Sequence, residues 1–233
     1  MGIQFDRINT TGAHAASLNF SKAQEVTTGQ RIDFSKENPN VTKVRIELYW
    51  TGNADGDASV LLLDSNKVAL PGVTSAERQV PTGPNGQINP NKTRGMVWYN
   101  NESVPGVVHS GDVTEADDDP SSPEETIKVD LAGLEADANE VLVVASTFPD
   151  KDDPAQKPVP FGRLRNCRVM VVNDLTNEVL YVYELDEDFS QFTSVELASF
   201  YKRNGEWRYT SMGEGVGKSA QALSDIASKY KLA

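Results

Sequence analysis

Apolar and polar positions alternate along the most regular part of this chain. In the segment 43–50, Val44, Ile46, Leu48 and Trp50 occupy every second position, and most of the residues between them are polar. A period of two places one set of side chains against a core and the other set towards water. The segment therefore predicts a half-buried β-strand.

Further strand signals follow along the chain. The segment 127–131 alternates in the same way, while the segments 60–63, 141–145, 169–172 and 179–183 are short apolar runs. Such runs are typical of strands buried on both faces. Turn residues separate them at intervals too short for intervening helices, which argues against a parallel sheet with helical crossovers.

Two local patterns near the end of the chain are more specific. Asn204-Gly205 separates two strand-like segments, 195–202 and 206–210, and this dipeptide supplies the positive φ angles of a type I′ hairpin turn. In the segment 218–232 apolar residues recur at three- and four-residue spacing, which predicts an amphipathic helix packed on a sheet or closing its edge.

Three segments lack the strand pattern. Residues 1–28 are weakly patterned, with 13–24 forming a short helix or staying irregular, and residues 70–95 and 148–162 are rich in proline or glycine. We therefore predict an N-terminal extension (1–28) followed by one domain (29–233). Its expected fold is all-β, a two-sheet β-sandwich with long acidic loops and a C-terminal helix.

Charge and composition restrict the classes of partner. The chain has 22 Lys and Arg against 34 Asp and Glu, a net charge of −12, which argues against nucleic acid and allows contact with an anionic membrane surface only through a cation. It lacks a long apolar span and a signal-like start, so we expect a cytoplasmic protein. With one cysteine and two histidines, a bound metal is expected to have oxygen ligands.

The first candidate site is the segment 53–59, directly after the alternating strand. Asn53, Asp55 and Asp57 carry side-chain oxygens at alternate positions. A curled loop can direct such oxygens at one Ca²⁺, which takes six to eight oxygen ligands at about 2.3–2.6 Å. The sixth position is Ala58 rather than glycine, so this is not an EF-hand. A turn whose side chains cap its own backbone is the alternative.

The second candidate site is the segment 112–125, which holds seven carboxylates and neither Lys nor Arg. Carboxylates this dense repel one another unless they are solvated or share cations. A solvated acidic loop is therefore the alternative to a metal site. Because the loops of a sandwich cluster at its two ends, the two acidic connections would form one cup if they share an end.

These residues resemble the TerD family of tellurium-resistance and bacterial stress proteins from about residue 29 onwards. The resemblance follows the order of the segment 32–50 and of Asp55-Gly-Asp-Ala-Ser59, Trp98-Tyr-Asn-Asn101, His109-Ser-Gly-Asp112, Glu124-Glu-Thr-Ile-Lys-Val-Asp-Leu131 and Asn204-Gly-Glu-Trp207. It implies a calcium-binding β-sandwich without an established enzymatic activity.

The resemblance also implies a ligand set. The family's first acidic loop falls on Asn53, Asp55 and Asp57, with Gly56 where the family usually has leucine. Its second acidic loop is longer here and contains two prolines in place of glycines. The complete set of candidate ligands is Asn53, Asp55, Asp57, Asn100, Asn101, Asp112, Asp117, Asp118, Asp119, Glu124 and Glu125.

Other candidates are weaker. His109 with Ser110 and Asp112 lacks the Gly-x-Ser-x-Gly elbow of a nucleophile site. The segment 213–219 ends in Lys-Ser before a helix, but it lacks the register of a phosphate loop, so a glycine-rich start of a helix is favoured. We expect Cys167 to be a small core residue. Trp50, Trp98 and Trp207 are also expected to fill the core.

The function predicted from these features is non-enzymatic. We expect a module that binds up to two Ca²⁺ in a stress- or tellurite-resistance system, where the metal orders loops for other proteins of a stress-resistance complex. Nucleic acid is not an expected partner, membrane contact is expected only through calcium, and self-association stays open. A metal-free scaffold or interaction protein with decayed calcium sites is the alternative.

Overall fold

The computed structural model describes residues 13–52, 54–72, 93–111, 121–149, 154–155, 157–185 and 187–232. The α-helices in these residues are α1 (Ala13–Ser17), α2 (Phe34–Glu37) and α3 (Ala222–Lys229), and a 3₁₀-helix spans Phe161–Arg163. The strands are β1 (Gln24–Val26), β2 (Arg31–Ile32), β3 (Lys43–Thr51), β4 (Gly56–Leu63), β5 (Met96–Val97), β6 (Ser103–Val104), β7 (Val107–His109), β8 (Glu125–Asp130), β9 (Glu140–Thr147), β10 (Arg165–Asn173), β11 (Val179–Glu184), β12 (Ser194–Arg203) and β13 (Glu206–Val216).

The strands form two sheets, as the sequence predicts. The order is β1-β11-β10-β3-β8-β7-β6 in the seven-stranded sheet and β2-β13-β12-β9-β4-β5 in the six-stranded sheet. Among the described strands, the pairing of β1 with β11 is parallel and the other pairings are antiparallel. The predicted all-β sandwich is therefore confirmed.

The core lies between the sheets. In β3, Val44, Ile46, Leu48 and Trp50 are all buried and join this core, as their alternation predicts. The predicted exposure of the other face is wrong, because Glu47 and Tyr49 are buried as well. The central strands β4 and β9 are buried along their whole length, because α3 and neighbouring side chains cover the outer face of their sheet. The apolar runs 60–63 and 141–145 are therefore buried on both faces, as predicted.

The N-terminal segment covers the other outer face. Leu18 and Ala23 pack with Tyr49, Met170 and other apolar side chains on the outside of the seven-stranded sheet. Strand β1, which lies inside the segment 1–28 that we expected to be an extension, pairs with β11 at the edge of that sheet. The described part of this segment is thus built into the sandwich.

A buried carboxylate lies beneath the same cover. Glu47 accepts hydrogen bonds from Arg45 Nε and from the hydroxyl group of Tyr49, at 2.6 Å each. His14 of α1 also lies 3.0 Å from the Glu47 carboxylate. Burying a charge is costly unless it is paired and hydrogen-bonded. These three partners compensate that cost and attach α1 to the sheet.

The hairpin between β12 and β13 has the predicted turn. Asn204 and Gly205 have φ angles of 55° and 81°, and Arg203 pairs with Glu206 across the turn. Both central residues of a type I′ turn need positive φ. The structure therefore confirms the turn that the Asn-Gly dipeptide predicts.

The C-terminal helix is shorter than the predicted range 218–232. Its first predicted residues are non-helical because the Asp225 carboxylate accepts hydrogen bonds from the backbone N–H groups of Lys218 and Ser219 and from the Ser219 hydroxyl. A carboxylate thus binds the backbone at the start of the helix, as expected for a glycine-rich start rather than a phosphate loop. No described helix is long and apolar enough to cross a membrane.

Candidate metal centre

The two acidic connections leave the sandwich at the same end. The first joins the end of β3 to the start of β4, and the second joins the end of β7 to the start of β8. Because β3 and β8 are antiparallel, with Leu48 opposite Glu125, the end of β3 lies beside the start of β8. The described flanks of both connections therefore meet at one tip.

Contacts with the backbone of Ala58 connect the two sheets at this tip. The Glu125 carboxylate of β8 accepts a hydrogen bond from the backbone N–H of Ala58 in β4. The carbonyl oxygen of the same residue lies 3.0 Å from Nε2 of His109 in β7. One backbone unit of the six-stranded sheet is thus bound by two side chains of the seven-stranded sheet.

His109 and Glu125 form a buried pair. Their side chains are 0% exposed, and His109 Nε2 lies 3.3 Å from Glu125 Oε2. Burial lowers the pKa of His109, but the hydrogen bond and charge of Glu125 and the carbonyl of Ala58 outweigh it, so the pKa lies above its ordinary value. On the other side of the ring, Nδ1 accepts a hydrogen bond from the N–H of Gly111 at 3.0 Å.

Both faces of β4, which follows the first connection, are buried, but they belong to different apolar clusters. Ala58 and Val60 belong to the core between the sheets, whereas Leu61 and Leu63 belong to the cluster on the outer face. Alternation therefore assigns Asp57 to the outer face. Asp57 is only 3% exposed, and its strand neighbour on β9 is Ser146. Asp57 is the second residue of β4 and therefore lies at the tip.

Asp55, the second candidate ligand in this connection, is held in place through its backbone. The carbonyl oxygen of Asp55 accepts a hydrogen bond from the N–H of Phe148 at 3.0 Å. Phe148 follows β9, and its ring contacts the ring of Tyr99 edge-on with centroids 6.1 Å apart. The Tyr-Asn-Asn segment is thereby brought to the same tip as Asp55.

Asn100 and Asn101 have different environments. Asn100 is exposed, whereas Asn101 is fully buried and donates from Nδ2 to the carbonyl oxygens of Thr93 and Met96, at 2.7 and 2.5 Å. Among the described residues, Oδ1 of Asn101 has no hydrogen-bond partner. The amide nitrogen therefore holds the neighbouring turn, and the oxygen has the chemistry of a ligand for a hard cation.

Five of the predicted ligands, Asn53, Asp112, Asp117, Asp118 and Asp119, lie outside the described residues. Within the part of the chain that the structure describes, no three His, Cys, Asp or Glu side chains come close enough together to hold a metal ion. The described oxygen donors suit Ca²⁺ chemically, but a complete cage needs ligands from the remaining parts of the two connections.

The structural role of His109 is not evident from the sequence, where this residue belongs to the family-like segment His109-Ser-Gly-Asp112 and to a disfavoured nucleophile site. In the structure, both ring nitrogens contact groups other than Ser110, whose Oγ accepts from the N–H of Thr126. The sequence signal for this role is the position of His109 two residues before Gly111 in the segment His109-Ser-Gly-Asp112. Trp98, Trp207 and Cys167 also differ from expectation, because all three are only partly buried against the apolar clusters.

The fold and the candidate site define a class of protein. Its members are two-sheet β-sandwiches whose acid-rich connections leave from one tip. The chain belongs to the TerD family, because the TerD domain matches residues 82–230.

Named relatives agree with this assignment. General stress protein 16U of Bacillus subtilis (strain 168) is 35% identical over 216 residues, covering 88% of this chain and 95% of that protein. Tellurium resistance protein TerD of Serratia marcescens is 24% identical over 216 residues, which again cover 88% of this chain and 95% of that protein. A crystal structure of a protein of unknown function covers 80% of this chain and 96% of its own, with a TM-score of 0.56 and 13% identity. That last likeness concerns the fold alone.

Proposed function

We propose that this protein is a non-enzymatic calcium-binding module of a stress- or tellurite-resistance system. In this proposal the ion orders the two acidic connections, and the ordered tip binds another protein. The observation that carries the proposal is the junction at Ala58, where Glu125 and His109 bring the flanks of both connections together.

The chemistry of the tip supports Ca²⁺ rather than a softer metal. The ligands are proposed to be carboxylate and amide oxygens, including Asp55, Asp57 and Glu124, with Asn101 Oδ1 as a buried neutral donor. When bound, Ca²⁺ would supply positive charge to this acidic tip. Two ions would change the net charge from −12 to −12 + 4 = −8. Asp57 lies in β4, and the carbonyl oxygen of Asp55 accepts a hydrogen bond from the N–H of Phe148, so the backbone of both residues is held in place.

The names of the relatives support the biological setting. Two of them are called a general stress protein and a tellurium resistance protein. We extend that setting to this chain and propose that it acts in the cytoplasm through other proteins of a stress-resistance complex. The acidic charge opposes nucleic acid as a partner and allows membrane contact only through bound calcium.

Calcium binding is tested by titration calorimetry and by thermal melts in excess Ca²⁺ and in chelator. Ligand at about 100 times its dissociation constant adds about 2.7 kcal/mol of stability. Asp57→Asn should weaken binding. Asp137→Asn is the matched control, because Asp137 lies in the connection between β8 and β9 at the opposite end of the sandwich. Melts that coincide with and without Ca²⁺ would remove calcium from the proposal.

A metal-free scaffold is the second candidate. It is favoured by the fact that the described residues contain no group of three potential ligands. Cross-linking and pull-down with and without Ca²⁺ separate the two, because only the calcium module requires the metal for capturing its partner. Capture that is equally efficient in chelator would favour the scaffold.

A further inference from the structure

His109 is a single buried side chain that contacts three segments of the tip. Its Nε2 lies 3.0 Å from the carbonyl oxygen of Ala58 and 3.3 Å from the carboxylate of Glu125. Its Nδ1 lies 3.0 Å from the backbone nitrogen of Gly111. The residue is 4% exposed, so water does not compete freely for these contacts.

Each of these contacts is adjacent to a proposed metal ligand. Ala58 follows Asp57 in the first connection, and Gly111 directly precedes the second connection. Glu125 ends the second connection. Gly111 has a φ angle of 104°, a backbone conformation that favours glycine, so the chain changes direction directly after its contact with the His109 imidazole. His109 thus contacts both flanks of one acidic connection and one flank of the other.

The hydrogen bonds require one donor and one acceptor on the ring. Gly111 N–H can only donate, so Nδ1 accepts; the Ala58 carbonyl can only accept, so Nε2 donates. An imidazole with its proton on Nε2 meets both requirements at a fixed separation. A side chain that lacks either function would leave a buried backbone group unsatisfied.

We infer that His109 is a positioning residue for calcium, which holds the flanks of the two acidic connections together without contacting the ion. This inference rests on the proposed function. Ligands that are already fixed in place bind with a smaller loss of conformational entropy, so an aligning side chain raises affinity. Mutation of a residue that supports a metal ligand typically lowers the affinity for the metal by about 10- to 100-fold.

The test is calcium titration calorimetry on the full chain and on three variants of this residue. His109→Ala removes both functions and should weaken calcium binding about 10-fold or more. His109→Gln can place an N–H donor near the position of Nε2, whereas His109→Asn is too short to reach Ala58. We therefore expect affinity to fall in the order parent, Gln, Asn, Ala.

Val107→Ala is the matched control for general destabilisation. Val107 lies two positions earlier on β7 and is fully buried in the apolar core. This variant should lower the melting temperature in chelator, yet its calcium affinity should stay within about twofold of the parent. An equal loss of affinity in Val107→Ala and His109→Ala would overturn the inference, because affinity would then follow overall stability.

The remaining outcomes separate the inference from the proposed function. A parent chain that binds no Ca²⁺ overturns both. A parent that binds Ca²⁺ while the Gln and Asn variants bind equally tightly overturns only the role of His109, and this comparison decides the matter even if His109→Ala does not fold.

Discussion

The ammonium group of Lys229 lies 2.7 Å from the carboxylate of Glu196, joining the C-terminal helix α3 to strand β12 of the six-stranded sheet. The side chain of Glu196 is 1% exposed, and the hydroxyl group of Tyr230 donates to the same carboxylate oxygen at 2.7 Å. The helix is therefore anchored by a buried charge as well as by apolar packing.

Removing one partner of this pair should loosen the helix. Lys229→Met leaves the buried Glu196 carboxylate with only the Tyr230 hydrogen bond among its described side-chain contacts, and we expect a loss of about 1–2 kcal/mol in the free energy of unfolding. The loss is limited because Lys229 is 35% exposed. Urea unfolding measures it.

The control for this prediction is Lys36→Met. Lys36 is exposed, so its replacement should change stability by less than about 0.5 kcal/mol. The double variant Lys229→Met with Glu196→Met should lose less than the sum of the two single variants, because it leaves no unpaired charge. Strict additivity would show that the two groups do not interact.

Two buried tyrosines should respond in opposite ways to loss of the hydroxyl group. The hydroxyl of Tyr209 has no hydrogen-bond partner among the described residues, whereas that of Tyr183 lies 2.9 Å from Oγ1 of Thr28. Tyr209→Phe should therefore be neutral or stabilising, and Tyr183→Phe should cost about 1 kcal/mol. Urea unfolding of the two variants side by side measures this difference. The reverse order would contradict the hydrogen-bonding described here.

Replacing Gly205 in the hairpin turn should lower stability through the backbone conformation and not through a steric clash. Gly205 has a φ angle of 81° and no atom within 4 Å of the position that a Cβ would take. Gly205→Ala should cost about 1 kcal/mol through its left-handed conformation alone, and Gly205→Asn should cost less, because asparagine tolerates that conformation. Thermal melts can rank the variants, with Glu206→Ala as a neighbouring control. An alanine variant as stable as the parent would be incompatible with this turn.

The thiol of Cys167 should be unreactive in the folded protein. Burial, with a smaller effect of Glu184, raises its pKa to about 12. Since the thiolate is the reactive form, alkylation at pH 8 should be roughly a thousandfold slower than for an ordinary thiol, and it should accelerate about tenfold for each pH unit up to the pKa. Mass spectrometry after iodoacetamide treatment measures the rate. Equal rates in buffer and in urea would disprove this protection.

The fold was largely predictable because its central strands carry strong local signals. The alternation in β3 reports burial of one face, and the continuous apolar runs of β4 and β9 report burial of both faces. Two-residue strands such as β5 are too short to have a period. The length of α3 was overestimated because the contact of Asp225 with Lys218 and Ser219 depends on side-chain geometry rather than on apolar spacing.

The candidate site was predictable only in part. Acidic residues at alternate positions indicate oxygen ligands, and their location between strands allows a shared tip without establishing it. The junction of Ala58 with Glu125 and His109 depends on the register of two sheets relative to each other, which no local pattern contains. For the same reason, the sequence disfavours a nucleophile role for His109 but does not reveal its contacts with Ala58 and Glu125.

The parallel pairing of β1 with β11 has a consequence for the order of folding. Gln24 is opposite Tyr181, so the edge of the seven-stranded sheet forms between residues that are far apart in the chain. During synthesis, β1 leaves the ribosome long before its partner exists and waits unpaired. Closing so long a loop is slow and entropically costly. Of the described strands, the first to be made is therefore expected to pair late, and a protease that cuts ahead of residue 24 during this interval would release the segment that covers Tyr49 and Met170.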